Sequence, residues 1–408
     1  MGKTMIEKIF INNSDSSDVK PGDIIWINIT NRAARDFGGP NVIKNLNENY
    51  EGDYISKAPG NTMFTFDVNP TGSDPKYAQN QQICRNFAKE HDVDLYDITE
   101  GIGSHLMIYK KFAYPGSISI NTDSHFNILG AIGAFGQGTG DIDTAFSFKT
   151  GKNWWKVPAS SKVTVNGKLP DGTQAKDLTL FLVRELKKRN VLQKSIEFYG
   201  ETIENLSLAE RITLSSMVTE MGGIIGLIPP TNEVLDFYSD VKYTPVFADP
   251  DAEYIQEFEF DVSNLKPQIA KPGAPHDVVD VSSLKGLKVD SCFIGSCTNG
   301  SFEDLKKVAE VLDGKKVAKG IILKIVPATR DDYEKCLMNG LLEIFFKAGA
   351  LVSNPGCAGC ASGQVGMNGE GEITISTGNR NFPGKQGKGK VYLASPRTSA
   401  LAAINGKL

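Results

Sequence analysis

In the stretch SNPGCAGCASG, Cys357 and Cys360 stand three residues apart in a turn of glycine, proline and small side chains. Sixty residues earlier Cys297 lies in IGSCTNG, after an apolar run that reads as a strand and before one that reads as a helix. A helix N-terminus lowers a thiol's pKa, so the thiolate, the form that binds metal, is the expected state there. The chain carries six cysteines in 408 residues, too few for a disulfide framework. A structural zinc normally takes four ligands, and no fourth Cys or His is well placed. A redox pair would need only Cys357 and Cys360 and leave Cys297 idle. An iron–sulfur cluster dedicated to electron transfer uses four thiolates; with three, one iron stays open to a substrate. Three unrelated buried thiols is the remaining reading.

Polar motifs surround these cysteines. STGNRNFPGK places Asn379, Arg380 and Lys385 beside a turn, and from Arg380 to Arg397 there are five basic residues and no acidic one. Next to an electrophilic iron such a pocket suits a small di- or tricarboxylate. Lys388 and Lys390 read equally well as a solvated loop. INTDSHFN carries Asp123, Ser124 and His125, a carboxylate, a hydroxyl and an imidazole that can orient a substrate and move protons. Three adjacent residues cannot by themselves take up the geometry of a Ser-His-Asp hydrolase. GAFGQGTGD resembles a dinucleotide loop only loosely and lacks the acidic residue expected about twenty positions on, so NAD is set aside.

The elements that must position these residues alternate. KVDSCFIG, GIILKIV, GEITIST and KVYLAS read as strands. SFEDLKKVAEVL, DDYEKCLMNGLLEIFFKAG and RTSALAAI read as helices, the first capped by Ser301 and the second closed by glycine. DLTLFLVRELKKR and SLAERITLSSMVTEMGG read as amphipathic helices, the latter with a Ser207/Glu210 capping box and Gly222 as its stop. Alternation of this kind predicts an α/β fold with mostly parallel sheets, whose ligand loops follow strand ends. Pro267, Pro272 and Pro275 mark an expected linker, dividing an N-terminal region (1–286, two subdomains) from a C-terminal one (287–408). Net charge is −4, so no global field attracts nucleic acid or an anionic membrane. No apolar run spans a bilayer, and the N-terminus lacks the features of a signal peptide, so a cytoplasmic location is expected.

Together YPGSISINTDSH, GAIGAFGQGTGDID, TGKNWWKVP, IEFYGETIENLSLAERITLSSMVTE, FIGSCTNG, NPGCAGC, STGNRNFPGK and YLASPRTSALAAINGKL resemble the aconitase superfamily nearly end to end. Within it they are most similar to the large subunits of 3-isopropylmalate dehydratases. The resemblance implies a three-domain α/β/α core around a 4Fe-4S cluster bound by Cys297, Cys357 and Cys360. It implies a hydro-lyase whose free iron acts as a Lewis acid on a small hydroxy di- or tricarboxylic acid. Asp123, Ser124 and His125 match the family's substrate-side triplet, and Asn379 and Arg380 its cluster-side Asn and carboxylate-binding Arg. Glu220, which alone reads as an exposed charge near a helix end, falls on the active-site glutamate.

Several positions depart from the family. The Asp-His pair becomes Asp67-Val68, and a second histidine position is Ser104, with His105 one residue late. Ser216 stands for an Asn, and Lys385 for a second Arg, keeping charge but losing the bidentate fork. The swivelling domain that supplies a serine base has no counterpart, which implies a separate small subunit. A divergent hydro-lyase is the preferred reading. A cluster-bearing sensor or assembly subunit and an ordinary isopropylmalate dehydratase are the alternatives.

Overall fold

The structure, a computed structural model, describes residues 2–70 and 74–408. Its strands are short and largely buried, as ISIN at 118–121 shows, with all four residues enclosed. Among the described residues they form four sheets. A ribbon pairs β1 (Ile24–Asn28) antiparallel with β7 (Lys152–Lys156). The N-terminal sheet contains β2 (Asn31–Arg35), β3 (Asn61–Thr65), β4 (Asp94–Tyr96), β5 (Ile118–Asn121) and β6 (Phe135–Gly138). Its order is β4-β3-β2-β5-β6, all parallel.

The middle sheet, β8 (Ser160–Asn166), β9 (Ser195–Tyr199), β10 (Ile225–Leu227) and β11 (Gln256–Asp261), is also parallel, in the order β10-β9-β8-β11. The third sheet contains β12 (Gln268–Ala270), β13 (Val278–Asp280), β14 (Ser291–Ile294), β15 (Ile322–Ile325), β16 (Leu351–Val352), β17 (Ile373–Ser376) and β18 (Lys390–Ala394). Its order is β13-β12-β18-β17-β14-β15-β16, parallel from β18 to β16. Parallel neighbours require crossover connections, and these supply the helices that cover the sheets.

One apolar cluster draws on all three regions: Met107, Phe126 and Leu129 from the first, Ile212 and Tyr238 from the middle, Cys297 and Cys357 from the third. The thiols therefore sit at the seam where the three sheets pack together. Backbone bonds close that seam. The Ile102 N–H donates to the Ala328 carbonyl at 2.9 Å, and Arg330 to Glu100 at 3.0 Å.

The expected caps form: Ser301 and Ser207 each accept the backbone N–H three residues on, and Glu210 returns a bond to Ser207. Three expectations change. The proline-rich stretch is not a free linker but carries β12 and β13, where Ile269 and Ala270 pair with Ala394 and Leu393. The prolines fall outside the paired residues, before β12 and in the β12–β13 connection, where a missing N–H breaks no ladder. The helix expected over 331–349 is two, Arg330–Met338 and Leu341–Ala348, because Gly340 takes φ +75°. The helix expected to run from Ser207 to Gly222 breaks at Met217 (φ −102°, ψ 10°) into Leu208–Ser216 and a single turn, Val218–Met221.

Candidate active site

Parallel strands deliver their ends to one place. The N-terminal sheet contributes Arg35 at the end of β2, Asp67 after β3 and Asp123 to His125 after β5. The third sheet contributes Cys297 after β14, Cys357 and Cys360 after β16, and Asn379 and Arg380 after β17. The two sets meet directly, since the Cys357 N–H donates to the Asp67 carbonyl at 2.9 Å.

Cys297 lies inside a one-turn helix, Ser296–Asn299, between β14 and the longer helix Phe302–Leu312. Ser296, just before it, has φ +72°, and Ala358, just after Cys357, has φ +47°. Left-handed non-glycine residues cost on the order of 1–3 kcal/mol and persist where the surroundings over-determine them. Ser296 is fixed in this way: its hydroxyl lies 2.8 Å from that of Thr298 and 3.4 Å from Asn379 Oδ1.

Asn379 Oδ1 is 3.4 Å from Cys297 Sγ and 4.0 Å from Cys360 Sγ, so one carboxamide touches two thiols. The third thiol, Cys357, meets Arg35 Nη2 at 2.7 Å. Burial pushes both the Cys297 and the Cys357 thiols well above their ordinary pKa, although Asn379 acts the other way on Cys297, and Arg35 on Cys357. Desolvation opposes the helix-terminus effect at Cys297, and binding of a metal would itself displace the thiol protons.

Among the described residues no three His, Cys, Asp or Glu side chains are grouped as ligands of one metal ion. Three soft thiols, with a carboxamide touching two of them and a cation on the third, have the donor chemistry that an iron–sulfur cluster takes.

The proton-handling residues form a second, contiguous network. Glu220 Oε1 accepts from Arg380 Nε at 2.8 Å and lies 3.1 Å from His125 Nε2. Each partner comes from a different region, and the break at Met217 gives Glu220 a turn of its own. Its Oε2 is buried and has no hydrogen-bond partner among the described residues. Burial would raise the Glu220 pKa, but His125 and Arg380 outweigh it and hold the group below the usual range.

Asp123 is likewise held down against burial by Arg35 and His125, with Arg35 Nη1 at 3.1 Å and the His125 N–H at 3.1 Å from Oδ1. Asp67 is pushed up to about 6 by burial, despite Arg35 Nε at 2.6 Å from Oδ1 and the Gly103 N–H at 2.8 Å from Oδ2. Ser124 is exposed, its Oγ 3.4 Å from Arg380 Nη1.

Two sequence candidates occupy other positions. His105 is buried with Nε2 3.0 Å from the Cys297 carbonyl, so it braces the backbone behind that thiol rather than joining the Asp123–His125–Glu220 set. Lys385 gives its ammonium to the Cys360 carbonyl at 2.7 Å and so clamps the cysteine loop. Val68 and Ser104 are both buried, and the Ser104 hydroxyl has no partner among the described residues.

Two further residues were missed. Arg35 bridges Asp67, Asp123 and Cys357. Lys176 is fully buried, its ammonium 2.9 Å from the carbonyls of both Thr377 and Gly378, the residues leading to Asn379. Burial pushes it down to about 8. Its signal was a lysine sharing one helix face with Leu180 and Val183, four and seven residues on.

Gly138 supports the Asp123 loop from beneath. A Cβ there would lie 2.3 Å from the Asp123 carbonyl and 3.0 Å from Ser124 Cα. Gly138→Ala is therefore expected to displace the loop and lower turnover at least tenfold, with a cost of about 1–3 kcal/mol in denaturant unfolding. Near-wild-type kcat in a folded variant would contradict it.

Residues 67–406 match the model of the aconitase family (aconitate hydratase). The chain belongs to the aconitase family. A large subunit 1 of 3-isopropylmalate dehydratase from Methanopyrus kandleri is 39% identical, covering 100% of this chain and 98% of its own length. The Halothermothrix orenii 3-isopropylmalate dehydratase large subunit is 40% identical over the same shares. A probable methanogen homoaconitase large subunit from Methanosarcina mazei is 41% identical, covering 86% of this chain and 90% of that relative.

The crystal structure of aconitase X from Thermococcus kodakaraensis, in its holo form, superposes with a TM-score of 0.54 at 13% identity. It covers 87% of this chain and 84% of that one, a likeness of fold alone. The chain thus has the α/β aconitase-like fold, in a family of hydro-lyases. No helix among the described residues is long and apolar enough to cross a membrane.

Proposed function

We propose that this chain is the large subunit of a two-chain hydro-lyase that reversibly removes water from a small hydroxy di- or tricarboxylic acid of the isopropylmalate kind. One observation carries the reading: Arg35 and the Asn379–Arg380 pair join the three thiols to the Asp123–His125–Glu220 set. The names of the relatives support it, both in the dehydratase and homoaconitase activities and in the designation as large subunits.

Cys297, Cys357 and Cys360 would hold a 4Fe-4S cluster, which when bound supplies a Lewis-acidic iron with an open position. Everything else falls to the chain's own side chains. Arg380, about a quarter exposed, offers guanidinium N–H groups to a substrate carboxylate beside the Ser124 hydroxyl. His125 stands at Glu220 and can pass a proton to a departing hydroxyl. Glu220, held ionised, stabilises the imidazolium that donates this proton and that re-forms when the neutral imidazole takes a proton from water in the reverse direction. Asp123 fixes the His125 backbone, and Asp67, tied to Arg35 and Gly103, shapes the opposite wall. A serine base from the partner subunit completes the site by taking the proton from carbon. The location that fits this role is the cytoplasm.

Val68 and Ser104 favour a second reading, a cluster-bearing sensor or assembly subunit, because neither can move a proton as the family's histidines do. The test is the anaerobically reconstituted chain, with its partner, on a panel of hydroxy diacids, followed by the absorbance of the new C=C bond. Turnover of at least one member is expected. A cluster-replete complex inert over the whole panel would favour the second reading.

A further inference from the structure

We propose that Arg35 is a positioning residue for the cysteine-bound cluster: it holds the Cys357 sulfur by a charge-assisted hydrogen bond and sets the cluster's reduction potential. The inference rests on the cluster reading above. Arg35 ends β2, the central strand of its sheet, so its side chain emerges between the ends of β3 and β5. All three guanidinium nitrogens are engaged: Nε to Asp67 at 2.6 Å, Nη1 to Asp123 at 3.1 Å and Nη2 to Cys357 Sγ at 2.7 Å. The two carboxylates fix the guanidinium plane, and the fixed plane aims the third nitrogen at the sulfur. Lysine keeps the charge but concentrates its donors on one nitrogen, without the planar fork that here presents a separate nitrogen to each of the three partners.

The surroundings sharpen the role. The side chains of Asp67 and Asp123 are 0% and 6% exposed and that of Arg35 is 13% exposed, so the interaction is little screened by water. A cluster bound by three thiolates is anionic, and one-electron reduction adds a further negative charge. A fixed cation hydrogen-bonded to a ligand sulfur favours the reduced form, one of the levers by which proteins set such potentials. Val68, beside Asp67, contributes no charge to this wall.

The test compares wild type, R35K and R35Q as full chains reconstituted anaerobically, by iron and sulfide content and by redox titration followed by electron paramagnetic resonance. R35Q is expected to bind the cluster yet shift its one-electron equilibrium about tenfold toward the oxidised form, about 59 mV. R35K is expected to shift in the same direction by less, since it keeps the charge near Asp67 but loses the bond to sulfur. Should R35Q fail to fold, R35K decides through its potential and its Fe–S(Cys) stretching frequencies, and no change in either would overturn the proposal. Full cluster content with a wild-type potential in R35Q would also overturn it. A wild-type chain that binds no cluster would overturn the cluster reading itself, and this inference with it.

Discussion

Glu220→Gln is expected to lower kcat about a hundred- to ten-thousand-fold, the usual contribution of a positioned proton-transfer group. The substitution keeps the shape of the side chain and removes its charge. In the native site a single oxygen, Oε1, serves both Arg380 at 2.8 Å and His125 at 3.1 Å. An amide cannot act as an ionised acceptor for both, so His125 loses the charge that stabilises its protonated form and Arg380 loses its brace. Oε2, buried without a partner among the described residues, offers the site an acceptor that the NH2 of Gln can replace with a donor. Breaking a fully buried ion pair costs about 3–5 kcal/mol. Here Arg380 retains some exposure and can turn to water, so the stability loss should fall below that range. Thermal melting separates the two effects. A folded Glu220→Gln complex within fivefold of wild-type turnover would remove Glu220 from proton transfer.

Cys357→Ser is expected to abolish cluster retention. A serine hydroxyl is a hard oxygen donor that stays protonated near neutral pH, and it cannot replace a soft thiolate on iron. The loop should survive the change, since its course is set by the Cys357 N–H bond to Asp67 and by the Lys385 clamp on Cys360. Iron and sulfide after anaerobic reconstitution should drop to background. Cys336→Ala is the control: that thiol is buried in the apolar core of the third region and should be dispensable for the cluster. Full iron and sulfide in Cys357→Ser would contradict the ligand assignment.

The cysteines, Asp123-Ser124-His125 and Asn379-Arg380 were legible because chemistry-bearing residues cluster in short motifs at strand ends. Glu220 was legible only through the family resemblance, since its own neighbourhood reads as a helix end. Arg35 was not legible, because its role depends on β2 lying between β3 and β5, an ordering set by long-range pairing. Lys176 was hidden for a related reason: its partners are backbone carbonyls about two hundred residues away, which carry no side-chain signature.

The helix breaks at Met217 and Gly340 also escaped. Met217 has good helix propensity, so nothing local marks its break, whereas Asn339-Gly340 is a turn signal masked by the apolar periodicity on either side of it. The proline stretch misled in the opposite direction. Proline forbids a ladder bond only where it stands, and the residues between the prolines were free to pair.

The most direct single measurement is the iron, acid-labile sulfide and zinc content of the anaerobically prepared wild-type chain. Thiolates from Cys297, Cys357 and Cys360 around a cluster predict about four iron and four sulfide per chain and negligible zinc. One zinc per chain with no sulfide would contradict the account.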